Sequence, residues 1–141
     1  MPASKINFHA EDLDFQIKSP LKIKAWLKEA AKQEGHYIQE INYIFCSDAY
    51  LLEINKEHLQ HDFLTDIITF DNSESPLKIE ADIFISIERV MENAATFKQP
   101  FETELRRVIV HGLLHLMGYK DKSAKDKARM RSKEDAYLSL G

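Results

Sequence analysis

Hydrophobic and polar positions alternate and recur in a readable order along this chain. Ile6 and Phe8 alternate with polar neighbours and predict a short first strand. Ser19 and Pro20 predict a helix start, with Ser19 as N-cap and Pro20 at the first helical position. Ile23, Trp26, Leu27, Ala30 and Ala31 then follow the i, i+3, i+4, i+7, i+8 pattern of a core-facing stripe, and Gly35 ends the helix. Residues 37–46 predict a second strand, with Ile41, Tyr43 and Phe45 on one face and Ile44 and Cys46 on the other. Apolar residues on both faces predict a strand covered on both sides. Ser47 and Asp48 predict a cap for a short helix carrying Leu51, Leu52 and Ile54, followed by a polar loop from His58 to Thr65.

Asp66 to Phe70 is rich in β-branched residues and predicts a third strand; Asn72 to Pro76 predicts a turn. Ile79, Ala81, Ile83, Ile85 and Ile87 alternate with Glu80, Asp82, Ser86 and Glu88, a fourth strand. The period then becomes helical, with Val90, Met91, Ala94 and Phe97 as the expected stripe. Pro100 separates this from a helix over about 101–117 whose stripe is Leu105, Val108, Ile109, Gly112, Leu113 and Leu116. Gly112, within the stripe, permits close approach of a neighbouring element. Ser123 with Asp126 three residues on predicts the cap of a last helix. The order predicts an α+β fold: a single domain with a small, about four-stranded mixed or partly antiparallel sheet packed against about five helices.

Composition supports one soluble domain: 141 residues, 44% hydrophobic and 30% charged. The lone Cys46 excludes an intramolecular disulfide and reads as a buried small hydrophobe. No signal-peptide pattern and no apolar run of transmembrane length stands in the chain, so a reducing cytoplasm and no membrane partner are expected. A net charge of −4 means that a nucleic-acid partner would need a local basic patch. One candidate lies at residues 120–133, where Lys120, Lys122, Lys125, Lys127, Arg129, Arg131 and Lys133 stand against Asp121 and Asp126. A solvated helix face accounts for that run equally well.

The chemistry concentrates at His111 and His115. Four apart on a helix, both imidazoles leave one face, the spacing at which a helix offers two nitrogens to one metal ion. Gly118 can take the left-handed conformation that stops the helix and lets the chain fold back. Asp121 stands ten residues after His111, where the third ligand falls in metzincin-like spacing, and a carboxylate is an acceptable zinc ligand. Its other reading is a turn residue or cap just before Ser123. Three protein ligands with an open fourth position describe a catalytic zinc site rather than a closed structural one. A zinc peptidase needs Glu directly after the first histidine, and Gly112 stands there, which points away from amide hydrolysis.

The run His111-Gly112-Leu113-Leu114-His115-Leu116-Met117-Gly118-Tyr119-Lys120-Asp121 resembles the H-G-x-L-H-L-x-G-Y-D-H motif of the YbeY family of bacterial endoribonucleases and rRNA maturation factors. Residues 54–70 resemble, more loosely, the family stretch L-N-x-x-Y-R-x-x-D-x-P-T-D-V-L-S-F, and Ala81-Asp82-Ile83-Phe84-Ile85-Ser86 resembles G-D-I-x-I-S. The resemblance implies a single-strand-specific endoribonuclease dependent on one Zn(2+) ion, acting in 3′-end maturation of small-subunit rRNA and in ribosome quality control. It implies His111, His115 and Asp121 as metal ligands, with Asp121 standing where the family usually has His. The implied partners are single-stranded RNA, the small ribosomal subunit and its assembly factors.

The family's Arg in the middle stretch, a phosphate or transition-state contact, is Leu59 here, and an apolar residue cannot stabilise phosphoryl charge. The catalytic residue is therefore left open, with His58, His61 and Asp62 as candidates. Lys56, Thr65, Asp66, Lys120 and Lys122 are the candidate substrate contacts. The expected chemistry is metal-assisted phosphodiester cleavage, by activated water or by the RNA's own 2′-hydroxyl. Two other readings stand beside it: a zinc hydrolase of another substrate class, and a non-enzymatic ribosome-assembly factor with a structural metal.

Overall fold

The computed structural model describes residues 4–59 and 65–140, and of residues 58 and 59 the backbone alone. Strand β1 (Lys5–Ala10) leads to helix α1 (Pro20–Gln33), strand β2 (Tyr37–Cys46) and helix α2 (Asp48–Leu59). Strands β3 (Ile67–Asp71) and β4 (Lys78–Ser86) precede helices α3 (Ile87–Thr96), α4 (Phe101–Leu116) and α5 (Ala124–Leu138). The four strands form one mixed sheet in the order β1-β2-β4-β3. The β1–β2 and β2–β4 pairs are parallel and β3 runs antiparallel to β4, so the fold is α+β as the periodicities predict.

The alternation along each strand decides which helices cover which face. Ile41, Tyr43 and Phe45 of β2 and Ile79, Ala81, Ile83 and Ile85 of β4 are all buried. Most of them join Ile23, Trp26, Leu27, Ala30 and Ala31 of α1, the α4 stripe, and Met130 and Tyr137 of α5 in one apolar cluster. The opposite face is shared. Near its β3 edge, Cys46 and Ile68 are covered by Leu51 of α2, with Tyr50, Ile54, Phe70 and Phe84 packed around them. Elsewhere it carries a polar ladder, in which the Asn7 amide donates to Asn42 (2.9 Å) and the Asn42 amide donates to Asp82 (3.0 Å). The two-sided covering expected of β2 thus holds for its C-terminal end.

Side-chain caps stand at the starts of α5 and α3, the first as the sequence predicts. Ser123 Oγ accepts from the Asp126 N–H at 3.0 Å, and Ser86 Oγ from the Arg89 N–H at 3.1 Å. Ser19 precedes α1 as expected, but it sits at φ 53° and its side chain makes no capping bond. Pro20 starts the helix without that help: at the first helical position its fixed φ suits the helix and it adds no unpaired N–H.

Three sequence expectations are corrected. Helix α2 runs to Leu59 and so takes in the start of the expected loop at His58. Ile87 opens α3 rather than closing β4, because Ser86 caps the helix there. On α3 the buried stripe is Ile87, Val90 and Ala94, whereas Met91 and Phe97 are more than half exposed. No helix among the described residues is long and apolar enough to cross a membrane.

Candidate metal centre

The site begins with a missing side chain. Gly112 lies in the buried stripe of α4, and a Cβ there would meet Ile67 Cδ1 at 2.9 Å and Ile83 Cδ1 at 3.3 Å. The glycine therefore lets α4 settle directly on β3 and β4. Asp66, next to Ile67 in the chain, is thereby brought near enough to His111 for their charges to act on each other. The same contact explains why no general base stands after His111: any side chain at position 112 would run into the sheet.

Helix α4 then stops at the residue the sequence marks. Gly118 adopts φ 102°, the Gly118 N–H donates to the His115 carbonyl and the Tyr119 N–H to the Leu114 carbonyl, both at 3.1 Å. This double closure is the Schellman arrangement. The reversal folds the 119–123 segment back along the helix and places Asp121 Oδ2 3.5 Å from His111 Nε2.

The two rings lie one turn apart and nearly parallel, with centroids 6.5 Å apart and planes 5° apart. Each has its Nδ1 engaged. His111 Nδ1 meets Glu134 Oε2 at 2.6 Å, and His115 Nδ1 meets the Tyr119 carbonyl at 3.2 Å. A carbonyl only accepts, as does an ionised carboxylate, so in both rings Nδ1 carries a hydrogen, and in the neutral ring Nε2 is the nitrogen with a lone pair for a ligand. Among the described residues, however, no three His, Cys, Asp or Glu side chains close to coordination distance. His111 and Asp121 face each other, and the exposed His115 stands beside them.

Glu134, absent from the sequence-based candidates, belongs at the centre. It is buried on α5, and its other oxygen accepts from Arg107 Nη1 at 2.9 Å. Arg107 also binds Asp135 at 2.7 Å. A carboxylate on the apolar stripe Met130, Glu134, Tyr137 was the readable signal, because such a group is rarely buried without a partner. For His111, burial disfavours the charged form. The hydrogen bond and charge of Glu134, with the charges of Asp66 and Asp121, outweigh burial and raise its pKa above the usual histidine value. Burial raises the pKa of Asp66, and His111 partly offsets that. The Glu104 carboxyl, also buried, is raised for the same reason, with Arg107 opposing it.

The remaining candidates scatter. Lys120 and Lys122 are exposed on either side of Asp121. Thr65 is half-buried and its hydroxyl donates to the Ile67 carbonyl at 3.4 Å. Lys56 lies on α2, 3.9 Å from Glu53. The side chains of His58 and Leu59, and all of His61 and Asp62, lie outside the described residues. The basic run is divided: Lys133 pairs with Glu34 at 3.1 Å and Arg129 lies over the Tyr119 ring at 5.3 Å, while Lys125, Lys127 and Arg131 are exposed.

A four-stranded mixed sheet, a histidine pair on one helix, a carboxylate folded back onto it and a second carboxylate behind it define a small α+β protein with a histidine–carboxylate cluster. The chain belongs to the YbeY family, since the family model for endoribonuclease YbeY matches residues 5–140. It is 55% identical over 140 residues to the endoribonuclease YbeY of Cytophaga hutchinsonii, covering 99% of this chain and 98% of that protein. It is 53% identical over 135 residues to that of Flavobacterium psychrophilum, covering 96% and 95%. A solution structure of a Thermotoga maritima protein superposes with TM-score 0.67 at 31% identity, covering 95% of this chain and 87% of the other.

Proposed function

We propose that this chain is an endoribonuclease that cleaves single-stranded RNA with one zinc ion, acting in 3′-end maturation of small-subunit rRNA. The observation that carries the reading is the arrangement of the two rings: His111 and His115 both have Nδ1 engaged, and Nε2 of His111 faces Asp121 Oδ2 at 3.5 Å. Two imidazole nitrogens and a carboxylate are a donor set that zinc accepts in catalytic sites. A carboxylate on the far ring nitrogen is the usual support for such a ligand. The names of the relatives support the nuclease class.

When bound, the ion would act as a Lewis acid on the scissile phosphate and on water. This chain's own residues do the rest. His111, His115 and Asp121 would hold the ion, and Glu134 keeps the His111 ring turned to it. Lys120 and Lys122, beside Asp121, would hold RNA phosphates. Asp66, whose charge and that of His111 act on each other, would stand at that wall of the site.

The test is cleavage of a labelled single-stranded RNA by tag-free protein, with zinc, with chelator, and beside an identically purified His111→Ala variant. Cleavage lost in both the chelated and variant samples is expected, with a fall of at least 100-fold. Wild type as inactive as the variant would favour the assembly-factor reading, with Leu59 as the cause.

A further inference from the structure

Glu34 is the C-cap residue just after α1, 85 residues before Tyr119, and nothing in its own stretch marks it as functional. We propose that Glu34 is a positioning residue of the metal centre: it holds Tyr119, and Tyr119 in turn sets the ring of His115. The inference rests on the metal-site reading above.

Three donors converge on this one carboxylate. Tyr119 Oη donates to Oε1 at 2.7 Å, Lys133 Nζ donates to Oε2 at 3.1 Å, and Tyr137 Oη donates to Oε2 as well. The carboxylate is only 13% exposed. Its place is set by the end of α1, where the Gly35 N–H donates to Lys32 at 3.0 Å and the His36 N–H to Ala31 at 2.9 Å. That Schellman closure fixes Glu34 as the last residue before the reversal.

Tyr119 directly follows Gly118 at the reversal of α4. Its phenol reaches Glu34, while its carbonyl accepts the Nδ1 hydrogen of His115 at 3.2 Å. Arg129 and Lys133 lie over the ring at 5.3 and 5.7 Å. The ring of the exposed His115 thus depends on a carbonyl whose residue is held by its own N–H bond to Leu114 and, through its side chain, by Glu34. A weakly held carbonyl would let the imidazole turn or exchange tautomers, and Nε2 would lose its direction. General support between α1 and α5 does not need Glu34. Trp26 Nε1 donates to the Tyr137 carbonyl at 2.7 Å, and both helices share the main apolar cluster.

The experiment uses the full chain as wild type, Glu34→Ala, Glu34→Gln, Tyr119→Phe and the Glu34→Ala/Tyr119→Phe double variant. Ring nitrogen shifts of His115 are read by NMR in the metal-free protein, and zinc affinity is read by chelator competition. Glu34→Ala and Tyr119→Phe should each move His115 from the Nδ1–H tautomer toward a mixture and weaken zinc about 10-fold. The double variant should be no weaker than either, because both remove one contact. Glu34→Gln, which keeps an acceptor for the phenol, should lie between. Wild-type shifts and affinity in Glu34→Ala, or losses that add in the double variant, would overturn the proposal. Tyr119→Phe removes only a hydroxyl and serves if Glu34→Ala does not fold. A wild type that takes up no zinc would sink the metal reading alone, and the metal-free His115 shifts would still decide the role of Glu34.

Discussion

At the scale of single residues, the centre is organised by what sits behind the histidines. His111 could present either ring nitrogen to a ligand. Glu134 removes the choice by taking Nδ1 at 2.6 Å, and Arg107 steadies Glu134 from the other side at 2.9 Å. Glu134→Gln keeps the size and deletes the charge on which both neighbours depend. Zinc affinity measured by chelator competition should fall about 10–100-fold. An unchanged affinity would mean that His111 is oriented by its backbone alone.

At the scale of elements, the motif helix works because it touches the sheet at Gly112. Its helical spacing made the stripe legible, and the close approach was foreseeable from a glycine inside it. Ile67 and Ile83 as the partners were not, since nothing local specifies which strand lies beneath. Gly112→Val would press two methyl groups into those side chains, of which Ile83 is fully buried. Unfolding free energy in urea should drop by about 1–3 kcal/mol, the usual cost of overpacking. Shortening Ile67 to valine in the same chain should restore part of it, because Ile67 Cδ1 is the nearest atom, 2.9 Å away. No restoration would place the strain elsewhere. The α3 stripe shows the opposite lesson. Helical period alone admitted Met91 and Phe97, yet the helix turns Ile87 inward in their place.

At the scale of the whole molecule, acidic groups pull stability in two directions. Asp48 receives Arg89 Nη2 at 2.9 Å and the Ser86 hydroxyl at 2.6 Å, tying α2 to the β4–α3 junction. The bond from Arg89 comes first among the causes that hold its carboxyl below the usual aspartate value, and burial opposes it. A depressed folded pKa contributes stability that is present above the unfolded value and is lost as pH falls through the folded one. Between about pH 5 and about pH 2, wild type should therefore lose more unfolding free energy than Asp48→Asn, measured by urea titration at each pH. Equal slopes would show that the pair contributes nothing. Asp66 and Glu104 act in the other sense: burial raises both, so their charged forms cost stability at neutral pH and acid relieves that cost.

The order of strands and helices, the two faces of β2, the stop at Gly118 and the histidine pair were all determined by sequence, because each rests on a period or a conformation that neighbours in the chain dictate. So was the return of the chain toward His111 after Gly118, which brings Asp121 within 3.5 Å. Tertiary structure alone decided that β4 lies between β2 and β3, and that Asp66 and Glu134 flank His111. It also decided that Glu34 reaches Tyr119 across 85 residues. These are contacts between elements that approach each other only when the sheet buries its apolar face. The energy that brings those elements together comes from burial, which has no direction along the chain, so spacing cannot encode it.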